Sequence, residues 1–300
     1  MPRTRFPGPS GQQPYRGRGS KTAYLIRYHP KMRIDSDLLD AYLKCPTKCW
    51  LRATAEPLSC GSYAEWAKTQ NDSYRVIATQ WLVAQCSTAE IVYSPDLNGF
   101  KPAKRRLALG LAVRAQMDCC SLESEVHALE CLPAKGRATH AQFVPVRFAF
   151  ANKLCSRDKM ALAYDAFALS RSLRCEITRG KIIHGDEYIA SGVNTAALTK
   201  EVRECVEKIA SMLSNSSPPE LVLNRHCPEC EFQTRCRKLA IEKDDLSLLE
   251  SLTEKERKKL HSKGIFTVTQ LSYTFRPRKR SRRSANRIDH CHSLKALAIR

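Results

Sequence analysis

The sequence contains no apolar run of about 18 residues, which is the length that a membrane-spanning helix requires. No hydrophobic signal-peptide core follows Met1 either. We therefore expect an intracellular, cytoplasmic protein that makes no contact with a membrane. Internal repeats are also absent from the sequence, so a repeat architecture is not expected.

Acidic residues are scarce, because 30 Asp and Glu face 50 Lys and Arg and leave a formal net charge of +20. Residues 1–21 and 276–287 contain several basic residues each and no acid. Such a surplus favours a polyanionic partner such as DNA. The two segments could instead be solvated, disordered arms. Residues 1–34 lack acids altogether, as transit peptides do, but their many prolines and glycines disfavour the amphipathic helix that a transit peptide forms.

The pattern of apolar residues predicts alternating helices and strands. Helices are predicted over residues 36–44, around 50–52, and over 74–85, 158–170 and 201–213. Strands are predicted over residues 89–93, 107–118, 125–132, 142–150 and 181–184. Since the hydrophobic fraction of 43% is sufficient for a core, the sequence predicts an α/β domain of about two hundred residues.

Fourteen cysteines in a long chain without a secretion signal indicate free thiols and metal ligands rather than disulfides. Cys227, Cys230 and Cys236 have a spacing that lets three thiolates reach one metal centre. Cys45, before a proline, is the expected fourth ligand, with Cys49 as the competing choice and His226 as a less favoured ligand. Zinc and an iron–sulfur cluster both accept four thiolates, and ordinary core thiols are the alternative to both.

The C-terminal part predicts a helical hairpin. Capping boxes begin at Thr253 and Thr267, and Gly264 ends the first helix. This outline is typical of a helix-hairpin-helix, in which turn amides hold a backbone phosphate, although an ordinary hairpin covering the core has the same outline. The expected nucleic-acid contacts are Lys263, Gly264, Arg276, Arg278, Lys279, Arg280, Arg282 and Arg283. The arginine-rich run could alternatively be a nuclear-localisation signal.

The early Cys45 with the late trio resembles RecB-like nucleases of the PD-(D/E)xK type that carry a four-cysteine 4Fe-4S cluster, including the CRISPR-associated exonucleases. Residues 223–232 (LNRHCPECEF), 244–249 (DDLSLL) and 263–278 (KGIFTVTQLSYTFRPR) are similar to the bacterial RecB-like nucleases that have a C-terminal ribonuclease-H-like domain. The similarity covers about residues 35–300 and is strongest after residue 223.

The resemblance implies a restriction-endonuclease-like mixed sheet flanked by helices, with a small C-terminal helical hairpin. We expect a disordered basic arm (1–34), a nuclease domain with the cysteine cluster (35–243), a helix-hairpin-helix-like module (244–275) and a basic linker (276–300). It also implies a 4Fe-4S cluster that clamps the two ends of the domain, single- or double-stranded DNA as substrate, and repair or CRISPR proteins as partners. A ribonuclease-H-like domain would follow, which leaves open that the sequence is a fragment.

Such nucleases hold Mg²⁺ or Mn²⁺ with one acid and a Glu-x-Lys pair on neighbouring strands. Glu130 is the expected first acid, with Asp118 in reserve and His127 as a further candidate. Arg147 and Ala149 stand where Glu and Lys are expected, and neither can replace them. Substitutes for the missing groups are Lys153 or Lys159 and Asp158 or Asp165, and Tyr164 is a weak match to a polar helix residue near such sites.

Three functions remain open from the sequence. The first is a metal-dependent DNA exonuclease, and the second is a catalytically degenerate DNA-binding iron–sulfur domain. The third is a zinc-binding adaptor for other proteins.

Overall fold

The computed structural model describes residues 32–55, 62–95, 105–118, 120–132, 142–215, 217–275 and 287–299. The strands are β1 (Arg33–Asp35), β2 (Ile91–Tyr93), β3 (Leu107–Gln116), β4 (Ser121–Leu132), β5 (Gln142–Ala149), β6 (Arg179–His184) and β7 (Ile189–Asn194). The helices are α1 (Ser36–Lys44), α2 (Pro46–Ala53), α3 (Ser62–Val83), α4 (Ser156–Leu173), α5 (Thr199–Ser214), α6 (Gln233–Glu242), α7 (Glu254–His261), α8 (Val268–Ser272) and α9 (Arg287–Ile299).

The seven strands form one mixed sheet in the order β2-β3-β4-β5-β6-β7, with β1 paired to β4. The long strands β3, β4 and β5 are antiparallel neighbours, and α4 then connects β5 to the parallel strand β6. Strand β4 shares one edge between two partners, since residues 121–123 pair with β1 and residues 128–132 pair with β5. Residues 124–127 of β4 therefore face a gap between β1 and β5.

The alternation of side chains between the two faces of the sheet is interrupted in the middle of β3, at Gly110. Gly110 has a φ of +62°, a conformation that favours glycine over residues with a side chain. Leu111 and Val113 beyond it pack on one side of the sheet, whereas Leu107 and Leu109 before it pack on the other. His127, which lies opposite Gly110 on β4, is the last of the four β4 residues that face the gap.

Helices cover both faces of the sheet. The larger core lies between the sheet and α1, α4 and α5, and α4 is buried over the ten consecutive residues 160–169. The smaller core lies between the sheet and α3, and it includes Tyr74, Ala78 and Leu82 of that helix. This architecture confirms the predicted α/β fold with a mixed sheet flanked by helices.

The C-terminal helices form a separate small core. Leu246, Leu249, Val268, Leu271 and Ala296 bring together a 3₁₀ turn, α8 and α9. Both predicted capping boxes are present, at Thr253 for α7 and at Thr267 for α8, and Gly264 adopts a φ of +77° between the two helices. The predicted helix pair is thus confirmed.

Several predictions fall outside the described residues. These are the basic arm up to residue 31 and the contacts Arg276, Arg278, Lys279, Arg280, Arg282 and Arg283. Among the helices that the structure describes, none is long and apolar enough to cross a membrane.

Candidate metal centre and nuclease-like cleft

Four cysteines from distant parts of the chain line one pocket. They are Cys45, Cys227, Cys230 and Cys236, and they are the four residues expected from the sequence. Cys45 lies in an extended conformation between α1 and α2, Cys227 and Cys230 flank a 3₁₀ turn, and Cys236 lies on α6. The early and late ends of the α/β domain therefore meet at this pocket.

Prolines fix the backbone on both sides of the pocket. Pro46 occupies the first turn of α2, where its missing N–H is not needed, so the chain breaks at Cys45 and restarts as a helix. Cys45 consequently lies between the C-terminal end of α1 and the N-terminal end of α2. Pro228 has the same role in the 3₁₀ turn that places Cys227 three residues before Cys230.

Asn224 connects the two sides of the pocket, a role that spacing arguments did not reveal. Its Nδ2 donates to the carbonyl oxygen of Lys44 at 3.2 Å, and its Oδ1 accepts from the backbone N–H of His226 at 2.8 Å. Its own backbone N–H donates to Sγ of Cys227 at 3.2 Å. Hydrogen bonds of this kind orient sulfur ligands and tune the metal centre that they hold.

Burial makes the late thiols hard to ionise one by one. It raises the pKa of Cys227 and Cys230, and it raises the pKa of Cys236 to about 11. Repulsion from the other three cysteines adds to the effect at Cys236. A bound metal centre reverses this preference because only the thiolates bind metal.

A buried ion network lies directly behind the pocket. Glu231 is paired with Nζ of Lys48 at 2.7 Å and with Nε of Arg52 at 2.6 Å, both on α2. Burial alone would raise the pKa of Glu231, but the hydrogen bonds from Lys48 and Arg52 hold it below its usual value. Two cations against one carboxylate leave a positive surplus, which suits an anionic metal–thiolate group.

The competing ligand choices differ in position. Cys49 is fully buried in the main core and is not among the residues that line the pocket, and burial raises its pKa to about 12. His226 does line the pocket, and burial together with the nearby cations Arg157 and Arg225 lowers its pKa. The geometry therefore favours Cys45 over Cys49 and keeps His226 at the rim.

The charged residues beside the gap in the sheet, where the sequence predicted a nuclease site, are paired with each other. Arg147, in the place of the expected Glu, donates from Nη1 to Oδ2 of the buried Asp165 at 2.7 Å. Oγ of Ser124 donates to the other Asp165 oxygen at 2.6 Å. Burial alone would lower the pKa of Arg147, but Asp165 raises it and keeps the guanidinium charged. Burial raises the pKa of Asp165, and the hydrogen bonds from Ser124 and Arg147 act in the opposite direction. Both Asp165 oxygens are engaged within the fold.

His127 also uses its side chain within the fold. The backbone N–H of Phe148 donates to its Nδ1 at 3.0 Å, where the β4–β5 pairing has ended. Burial and the nearby charges of Arg147 and Arg75 lower the pKa of His127 well below its usual value. A neutral imidazole with one nitrogen already occupied is a structural group at this position.

Glu130 and Asp118 do not share a site. Glu130 lies near the end of β4 and accepts from Nζ of Lys181 at 2.5 Å. Asp118 lies in the turn beyond the start of β4, and about 30 Å of strand separates Ser121 from Glu130. Glu130 and Asp118 therefore lie near opposite ends of β4 and cannot bind the same metal ion.

The other expected substitutes serve the fold or lie in solvent. Asp158 accepts from the backbone N–H of Cys155 at 2.8 Å and so caps α4. Lys153 and Lys159 are exposed. Tyr164 is fully buried, and its hydroxyl donates to the carbonyl oxygens of Ile34 at 2.5 Å and Glu123 at 3.1 Å, where it fills the gap beside β1.

Ala149 removes the last group of the expected Glu-x-Lys pair. It packs with the apolar cluster of Leu162, Ile182 and Val193 between the sheet and α4. A lysine ammonium at this position would have to be buried among aliphatic side chains, which is costly without a paired acid. The position therefore suits the alanine that it contains.

Lys263 and Gly264 lie in the exposed turn after α7, as expected. The turn amides, however, are already bonded within the chain. The N–H groups of Lys263 and Ile265 donate to Leu260, and that of Gly264 donates to His261. The N–H groups of residues 266–270 are likewise bonded, to Gln270, Asp244 and Thr267. A phosphate held by these amides would have to displace existing bonds.

No family model matches the chain, and no curated relative was found. Among solved structures, the chain is similar to the crystal structure of SSO0001, with 16% sequence identity over 69% of this chain and 86% of that chain, and a TM-score of 0.36. Values this low transfer no function.

Proposed function

We propose that this chain is a nucleic-acid-binding protein with a RecB-like, restriction-endonuclease-like domain. In this proposal Cys45, Cys227, Cys230 and Cys236 hold a 4Fe-4S cluster that clamps the two ends of the domain. The observation that carries the proposal is that one early and three late cysteines line a single pocket. Four thiolates are the ligand set of a 4Fe-4S cluster.

The choice of a cluster over a single zinc ion rests on the resemblance to the RecB-like nucleases, because four thiolates suit both centres. The two centres differ in size. A tetrahedral zinc site brings all four sulfurs to about 2.3 Å from one atom, whereas each sulfur around a 4Fe-4S cluster binds a different iron. Among the described residues, no group of three or more His, Cys, Asp or Glu side chains that could hold a metal ion is present. Metal analysis therefore has to decide between the two.

Anaerobic purification tests the cluster. We expect a brown protein with visible charge-transfer absorption and iron and sulfide in equal amounts. Cys45→Ser should lose the absorption, whereas the matched control Cys49→Ser should keep it because Cys49 is buried in the main core. A colourless protein with stoichiometric zinc would refute the cluster.

We further propose that the chain does not cleave nucleic acid. The pair of Arg147 and Asp165 supports this, since a guanidinium stands where a metal-binding carboxylate is needed. Labelled single- and double-stranded DNA should stay intact in the presence of Mg²⁺ or Mn²⁺.

An active metal-dependent DNA nuclease is the second candidate. It is favoured by the contact of Glu130 with Lys181, because a carboxylate and a lysine are two of the groups that such a site uses. The control variant is Glu125→Gln, which changes another carboxylate on the same strand. Cleavage that is lost in Glu130→Gln but persists in the control would establish this candidate and refute the proposal that the chain does not cleave.

The net charge of +20 supports nucleic acid as the partner. Binding to DNA should weaken steeply with added salt, because each phosphate contact releases counterions. A flat salt response would contradict the proposal. A reducing compartment such as the cytoplasm is proposed as the location, since the cysteines in the described part of the chain are free thiols.

A further inference from the structure

The outer face of α7 carries a row of lysines. Lys255 and Lys259 lie one helical turn apart, about 6 Å along the axis, and Lys263 follows in the turn after the helix. All three are exposed, and within the described part of the chain none of them forms an ion pair with a carboxylate. Their neighbour Lys258 is paired with Glu254 at 2.6 Å. The row therefore presents three positive charges to solvent.

An exposed aromatic ring follows Lys263 by three residues, in the turn after α7. Phe266 is 55% exposed. Its ring contacts the ring of His261 with a centroid distance of 5.2 Å, and its backbone N–H donates to Oε1 of Gln270 at 2.7 Å. The ring is thus held in place while much of its surface remains open.

The backbone of the same turn offers little to a ligand, because its amides are bonded within the chain. A nucleic acid on this surface would have to be recognised by side chains. Lysine ammonium groups attract phosphates, and an exposed ring stacks on a base, but a base offers its face only when it is not stacked in a duplex.

We infer that Lys255, Lys259, Lys263 and Phe266 form a binding surface for single-stranded nucleic acid. The lysines contact successive phosphates, and Phe266 stacks on one base. The inference rests on the proposed nucleic-acid-binding function and deepens it by choosing single strands over duplexes. It also replaces the amide-based contact that the helix, glycine, helix outline suggests with a contact made by side chains.

Fluorescence anisotropy of the full chain tests the stacking. The probes are a labelled oligothymidylate and a duplex of the same length, at several salt concentrations. Phe266→Ala should weaken binding of the single strand about tenfold, the loss expected for one stacked base, and should leave duplex binding unchanged. Phe266→Trp should restore the affinity. The control Tyr93→Ala, which removes another exposed ring on β2, should change neither.

The salt dependence tests the lysines. Replacing Lys255, Lys259 and Lys263 together by Gln should reduce the slope of log affinity against log salt by about two, since each contact with a single strand contributes about 0.7. The same triple change at Lys200, Lys208 and Lys243, which are exposed elsewhere, should leave the slope unchanged. Equal melting temperatures of all variants show that the fold is intact.

The outcomes separate the two proposals. If the chain binds nucleic acid but Phe266→Ala and the lysine variant behave like the unmodified protein, the surface is wrong and nucleic-acid binding stands. A preference for the duplex also overturns the inference. If neither probe binds at low salt, the proposed function fails together with the inference, and the surface fits a protein partner instead.

Discussion

The cysteine pocket and the charged side chains of the sheet differ in whether their reactive groups are already paired. In the pocket, four thiols converge without an ion pair or disulfide among them, and the surrounding charges form a network behind them. In the sheet, the charged groups neutralise one another, as Arg147 does with Asp165 on the α4 face and Glu130 does with Lys181 on the α3 face. A site that leaves its donors available can bind an inorganic group, whereas a site that pairs its charges stabilises the fold.

Removing the metal from the proposed centre should give the largest effect, and it tests whether the cysteine pocket is a binding site. Chelation under reducing conditions should lower the melting temperature and expose α6, because metal binding contributes directly to folding when ligands come from distant segments. Hydrogen exchange of the amides of residues 235–240 reports this locally, with the amides of α3 as an internal control. Unchanged protection of α6 after complete removal of iron would contradict a stabilising metal centre in the cysteine pocket.

Removing the carboxyl group of Asp165 should give the next largest effect, on the free energy of unfolding. Asp165→Ala leaves the guanidinium of Arg147 buried without its partner, which costs about 3–5 kcal/mol of the free energy of unfolding. Combining it with Arg147→Met should recover much of this loss, because an apolar pair often replaces a buried ion pair well. Denaturant unfolding measures both. Full stability of Asp165→Ala would show that the pair is not structural.

The network behind the pocket should depend on acid pH. The pKa of Glu231 is lowered in the folded state, so its stabilisation is present above an unfolded value of about 4.3 and is lost as the pH falls through the lower folded pKa. Glu231→Gln should cost about 2 kcal/mol at neutral pH, since it leaves Lys48 buried and poorly paired, and should remove this part of the acid dependence. Parallel pH profiles for both proteins would contradict the assignment.

The smallest effect is expected for Asn224→Ala. The substitution removes the side-chain hydrogen bonds to Lys44 and His226 but keeps the backbone N–H that reaches Cys227. A loss of about 1 kcal/mol should speed the release of iron to a chelator about fivefold. The control is Asn71→Ala, which removes a similar hydrogen bond from Nδ2 to the carbonyl of Ala67 on α3. Equal release rates in the two variants would remove Asn224 from the pocket's supporting structure.

Local patterns predicted most of the fold. The apolar stripe gave α1 its correct bounds, and the patterns of apolar residues located β3, β4 and β5. The pattern missed β1, which has three residues, and β7, whose IASGVN sequence is mostly exposed and does not alternate. It also missed α6, because only Cys236 and Ala240 of that helix are buried and no apolar stripe is visible.

Some residues of the candidate sites were predictable from the sequence, and their partners were not. Cys227, Cys230 and Cys236 were recognisable because their spacing reflects short turns that a sequence displays directly, whereas Cys45 was predicted from its place before Pro46 and from the resemblance. The partner of Arg147 was not, since Asp165 lies on a helix packed across the sheet and reaches it only in the folded chain. Glu130 was chosen for its place on a strand, but its neighbour Lys181 comes from β6, beyond β5 in the sheet.

The position of Cys236 sets a limit on when the centre can be completed during synthesis. Protein chains emerge from the ribosome with their N-terminal part first, so α1, α2 and the whole sheet are exposed before the last sulfur appears. Until then Cys45 is present without Cys236, and the pocket is incomplete. In the proposed function, delivery of the inorganic group would therefore have to come after translation of α6, when all four cysteines are present.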